Sequence, residues 1–153
     1  MKRPPPPFLA LVAAAAQQGM SRGASPASGL RRPAAVAVAT ASVAIAGGAA
    51  SRFRAVRTTV EPFDPSKASS LVVTGPNSRT RNPMYLGMAG VLVANALRRG
   101  SWTGVLPIVG FVAVIDRFQV AAEERALAEK FGAAYTTYCA SVPRWLGPRT
   151  FTG

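Results

Sequence analysis

Two short clusters in this 153-residue chain carry side chains able to hold a charged small molecule: Arg81, Asn82, Pro83 and Tyr85 in one, Glu123 and Glu124 in the other. The first runs without a break into the apolar stretch MYLGMAGVLVANAL, which two arginines close. In the second, Val120, Leu127, Phe131, Tyr135 and Tyr138 recur at helical spacing and mark one apolar stripe. Glu123 falls on that stripe, three residues after Val120 and four before Leu127. A carboxylate withdrawn from water is costly without a partner, so Glu123 either belongs to a ligand site or pairs with an arginine such as Arg81 or Arg117. Glu124, about 100° further round the helix, is expected at its edge or in solvent. The chain has one cysteine and no histidine, which rules out an internal disulfide and argues against zinc, haem or Cys/His catalysis. Cys139 reads as a small buried hydrophobe.

The elements that position these clusters are apolar. Hydrophobic residues make up 49% of the chain and charged residues only 16%, against about 25% charged in a typical soluble domain. The net charge of +12 is compatible with nucleic acid, but the basic residues flank apolar runs instead of forming one stripe, which points to membrane lipids and away from nucleic acid. Apolar runs cover Pro4 to Ala16, Pro33 to Ala50, Pro83 to Leu97 and Trp102 to Ile115, each at or below the roughly 20 residues of an ideal spanning helix. The fold expected is an all-α integral membrane protein with about four transmembrane helices and a cytoplasmic C-terminal helix. Residues 4–50 form two membrane helices, 51–82 a cytoplasmic loop, 83–118 a membrane hairpin around the tight turn RRGS, and 119–146 the C-terminal helix. Residues 1–20 also fit the template of a signal peptide. Gly132 should weaken the last helix and Pro143 end it near Val142, with Arg144 and Trp145 placed as an interfacial anchor.

The stretch LVVTGPNSRTRNPMYLG, then EERALAEKFGAAYTTY beyond a membrane hairpin, then VPRWLG, resembles the isoprenylcysteine carboxyl methyltransferases and, more distantly, the phospholipid methyltransferases. The resemblance runs from about Arg54 to Leu146 and has the look of bacterial members, which places the chain in the bacterial inner membrane. It implies a methyltransferase that uses S-adenosylmethionine as donor and takes a lipophilic or lipidated acceptor. The donor would bind at the cytoplasmic helix ends, through Ser69, Ser70, Leu71 and Val72 largely by backbone atoms, through Asn82, Pro83, Met84 and Tyr85, and through Glu123. Gly75 would allow close backbone approach, and Arg81 and Glu124 complete the set. Many relatives carry histidine where this chain has Asn82, and an aromatic residue often stands at the position of Asn77. The family also implies an arginine for the acceptor carboxylate: Arg117 is near that place, with Gln119 at the strict position. The alternatives are a phospholipid or other lipid methyltransferase, and a non-catalytic membrane interaction protein of the same fold.

Four crossings would put the N-terminus, the 51–81 stretch and the C-terminal tail on one side, with 13 of the 18 Lys and Arg residues. By the positive-inside tendency that side is cytoplasmic. Reporter domains fused after Gly153 and within Ser51 to Arg81 are both expected to report cytoplasm; an external location for either overturns the four-helix topology.

Overall fold

The computed structural model describes residues 4–25, 28–55 and 70–150, which are helical with no strand among them. Helices α1 (Pro6–Met20) and α2 (Arg31–Ala55) precede a 3-10 turn at Gly75–Ser78 and helix α3 (Pro83–Arg99). A second 3-10 turn, Trp102–Gly104, opens α4 (Val105–Val114). A π-turn, Ile115–Val120, carries α4 into α5 (Ala121–Ser141) without a break in the helix.

The ends of these helices follow from local chemistry. Pro83 stands at the first position of α3, where a missing N–H costs nothing and the fixed φ suits the helix. Gly100 ends α3 in the left-handed region at φ 65°, after Arg98 and Arg99 in the last turn, where cations complement the helix dipole. Pro143 makes the residue before it extended, and α5 stops at Ser141 with Val142 at φ −119° and ψ 127°. Gly132 takes φ 49° and ψ −121°, so α5 is kinked at the glycine that was expected to weaken it.

Among the described residues two helices are long and apolar enough to cross a bilayer: α2, and the 40-residue helix from Trp102 to Ser141. With 15 and 17 residues, α1 and α3 reach about 22 and 25 Å at 1.5 Å per residue, short of a hydrocarbon core of about 30 Å. Length and composition therefore support two of the four expected crossings. Val36, Val43, Val91, Leu106 and Val109 are exposed on the outside of the bundle, a surface suited to lipid.

Small residues set the approach of α2 to α3. A Cβ built on Gly87 would lie 2.7 Å from both the Ala46 Cβ and the Ser42 backbone oxygen, and one on Gly90 would overlap the Ser42 hydroxyl. This is the small-residue packing by which membrane helices bring their backbones close. On the other side of α3, Tyr85, Ala89 and Leu92 pack with Ala13 of α1, Phe111 of α4 and Ile115 and Val120 of the π-turn. A fully buried amide, Gln17 of α1, fastens the far end of this core. It donates to the carbonyls of Leu92 at 2.9 Å and Gly104 at 2.8 Å and accepts from the Asn95 amide at 2.7 Å. Thus α1 and α3 run in the same direction, and α2 and α4 return against them.

Gly87→Ala forces a methyl against the α2 backbone, which cannot move as a side chain would, and is expected to destabilise the protein by about 1–3 kcal/mol. Gly110→Ala meets nothing within 4 Å and should be neutral. Thermal unfolding of both variants in detergent checks the difference.

Candidate functional site

Where α3 begins and the π-turn passes into α5, the two clusters meet. The Tyr85 hydroxyl, 38 residues away in sequence, donates to Glu123 Oε1 at 2.6 Å, and the Gln119 amide donates to the same oxygen at 2.7 Å. Tyr85 is 4% exposed, buried by the core at the start of α3. Gln119, also buried, faces inward from the π-turn. The apolar stripe faces the protein as expected: Val120 is fully buried, while Tyr135 and Tyr138 pack with Leu127, Phe131 and Leu71.

Glu124 departs from expectation. It is half-buried, with its side chain 17% exposed, and holds Arg81 Nη2 at 3.1 Å and Arg144 Nε at 3.0 Å, with Arg144 Nη2 on its second oxygen. The cause lies in the tail. After α5 the VPRWLG segment folds back across the acidic side of the helix, and the Arg144 carbonyl accepts from Asn82 Nδ2 at 2.9 Å and Thr80 Oγ1 at 3.1 Å. The Pro143 carbonyl accepts from the Arg81 backbone N–H at 2.9 Å. Arg144 also reaches Asp116 Oδ2 at 3.3 Å, and Trp145 Nε1 donates to Asp116 Oδ1 at 2.7 Å. Arg144 and Trp145 are therefore built into the site, Trp145 packing on the core. Hydrogen bonding to Glu124 raises the pKa of Arg144 above its ordinary value, against the opposing effect of burial.

The segment before the motif lies beside α5. Ser69 lies outside the described residues, and Ser70 is exposed. Leu71 packs on the two tyrosines and Val72 is buried. Gly75, at φ 65°, sits against Arg52 of α2, where a Cβ would meet Nε at 3.1 Å. Asn77 is 4% exposed, and its backbone carbonyl accepts the Tyr138 hydroxyl at 2.6 Å. Pro83 is buried and Met84 half-buried. Cys139 is half-buried and accepts from Arg81 Nη1, so it is a polar contact as well as a filler. Arg117 is exposed on the π-turn, outside the cluster, because Gln119 takes the inward position.

Two buried polar atoms here have no hydrogen-bond partner among the described residues: the Asn77 side-chain oxygen and Arg81 Nε. Such atoms are uncommon in a folded interior. One acceptor and one donor, beside carboxylates and tyrosine rings, fit a zwitterionic ligand that also carries a flat base. S-adenosylmethionine has those features.

The helices and this cluster together make an apolar helical bundle with a polar site at one end. The phospholipid methyltransferase family model matches residues 32–134, and the chain belongs to this family of membrane methyltransferases. Membership implies methyltransferase activity and, with the two long apolar helices, membrane association. An uncharacterized protein of Haemophilus influenzae is 41% identical over 63 residues, which is 41% of this chain and 100% of that protein. No solved structure matches the chain.

The sequence offered a signal for the missed residues, since VPRWLG is part of the resemblance, but nothing in it shows that the tail turns back. Glu124→Gln leaves two partly buried guanidinium groups facing a neutral amide. It should destabilise the protein by about 1–3 kcal/mol, between the values of exposed and fully buried pairs. Denaturation of the purified variant without added ligand measures this.

Proposed function

We propose that the protein transfers a methyl group from S-adenosylmethionine to a lipophilic acceptor at the cytoplasmic face of the bacterial inner membrane, in the manner of an isoprenylcysteine carboxyl methyltransferase. The observation that carries this is the 2.6 Å hydrogen bond between Tyr85 and Glu123, which joins the helix-opening motif and the acidic pair into one site. On this reading α1 to α4 each cross the membrane and both termini are cytoplasmic, an arrangement that the distribution of basic residues favours.

S-adenosylmethionine supplies, when bound, a methyl carbon on a sulfonium that a nucleophile displaces directly. The chain's part is to bind, align and exclude water. Glu123, oriented by Tyr85 and Gln119, is suited to a cationic or hydroxyl group. Arg81 and Asn82 offer donors to a carboxylate, and Asn77 an acceptor to an amine. Tyr85, Pro83 and Met84 form an apolar wall, with Ser69, Ser70, Leu71 and Val72 contributing backbone groups. Glu124 acts at one remove, by fixing Arg81. Arg117, exposed at this same end, is free to meet an acceptor carboxylate from outside the cluster. A phospholipid amine is the second acceptor class, favoured by the family match over residues 32–134.

Membranes containing the protein, given labelled S-adenosylmethionine, are expected to yield labelled lipophilic product. Separation into base-labile esters and phospholipids assigns the acceptor class. Glu123→Gln keeps the shape and removes the charge, and should weaken donor binding by about 1.5–3 kcal/mol, roughly tenfold to over a hundredfold. Unchanged donor affinity in that variant, or no donor binding by the wild type, counts against this function.

A further inference from the structure

At the opposite end of the bundle, a cleft of about 250 Å³ opens between the last turns of α3 and the first of α4. Its walls are Val93, Ala96, Leu97, Trp102, Val105 and Ile108, and Arg31 at the start of α2 borders it. Ala96 follows Tyr85 by 11 residues, or about 16 Å of helix rise, and the lining of this cleft shares no residue with the carboxylate cluster. The cleft is therefore distinct from the site of methyl transfer.

The charge at this end has one sign. Arg22, Arg31, Arg32, Arg98 and Arg99 lie at the adjoining helix ends and turns, whereas the carboxylates of the described residues, Asp116, Glu123, Glu124 and Glu129, all lie on or beyond the π-turn. Arg98 and Arg99 are engaged with Asn95 and Gln18, both neutral. Arg31 is exposed and faces no carboxylate among the described residues. Around the cleft the surface is apolar: Val105, Leu106 and Val109 are exposed, and Trp102 is 84% exposed at the rim. An indole in that position suits the level of lipid headgroups.

We infer that this cleft binds one anionic phospholipid, with an acyl chain between α3 and α4 and the phosphate on Arg31. Carbon-lined walls accept the chain, and the guanidinium forms charge-assisted hydrogen bonds to phosphate oxygens. The lipid would join the start of α2 to the α3–α4 hairpin, at an end of α2 where Ala35 is the first buried residue. This inference does not depend on methyl transfer.

The test uses the purified, delipidated full chain in detergent, with native mass spectrometry and thermal unfolding in the presence of phosphatidylglycerol or phosphatidylcholine of identical chains. Phosphatidylglycerol should bind about tenfold or more tighter and raise the unfolding temperature. Arg31→Gln should abolish that preference, Arg31→Lys should keep part of it, and Arg22→Gln, outside the cleft, should keep all of it. Val105→Trp, which fills the cleft, should weaken both lipids. Equal binding of the two lipids by the wild type overturns the inference, as does undiminished phosphatidylglycerol binding by Arg31→Gln or Val105→Trp. A dimer that Val105→Trp dissociates would assign the cleft to a second copy of the chain and also overturn it.

Discussion

Arg144 is the point on which the candidate site depends. Its guanidinium engages Glu124 of α5 and Asp116 of the π-turn, while its carbonyl receives Thr80 and Asn82 from the segment that opens α3. A guanidinium has several donors in a rigid fork, which lets one residue join two carboxylates; a lysine would place a single point charge between them. Glu124 is then shared between Arg144 and Arg81, so two cations and two anions form a chain at the rim of the site. The pair with Asp116 is the more exposed, and solvent reduces its contribution. The pair of Arg81 with Glu124 is the better buried, so its geometry is the more strongly fixed.

The apolar bundle behind this network is held by different means. Between α2 and α3 the close approach runs through small residues, with Gly87 and Gly90 set against Ser42 and Ala46. Between α1 and the α3–α4 turn the fastening is a buried amide. Gln17 is fully buried and meets three partners, where an unsatisfied amide would be expensive. Dispersion holds one seam of α3 and hydrogen bonding the other, so α3, which starts at the site, is fixed on both sides.

The sequence made visible those features that rest on local periodicity or on single residues. The stripe from Val120 to Tyr138, the stop at Pro143, the kink at Gly132 and the short α3–α4 turn all follow from spacing or from proline and glycine chemistry. Glu123 was found because a charge breaks an apolar pattern. Glu124 was misplaced because the angle around a helix tells which residues face one side, and cannot tell that a distant tail will cover another side. Arg117 stands outside the cluster for a related reason, since the π-turn decides which residue points inward and Gln119 takes that position. The number of crossings is the least legible feature: α1 and α3 are apolar enough for a membrane but are short, and length alone does not decide where they lie in it.

The π-turn at Ile115–Val120 sets a phase. It lies between a segment whose outward face is apolar and one whose inward face carries the acids. A wide turn of this kind accommodates about one extra residue, equivalent to roughly 100° of rotation. With regular α geometry through this stretch, the whole of α5 would be rotated by that amount relative to α4, and Glu123 would leave Tyr85. The lipid-facing register of one half of the helix and the chemical register of the other are thus independent quantities, matched by a single local irregularity. A family of such proteins could re-aim its acidic pair toward acceptors of different shape by altering these six residues, without repacking the helices on either side.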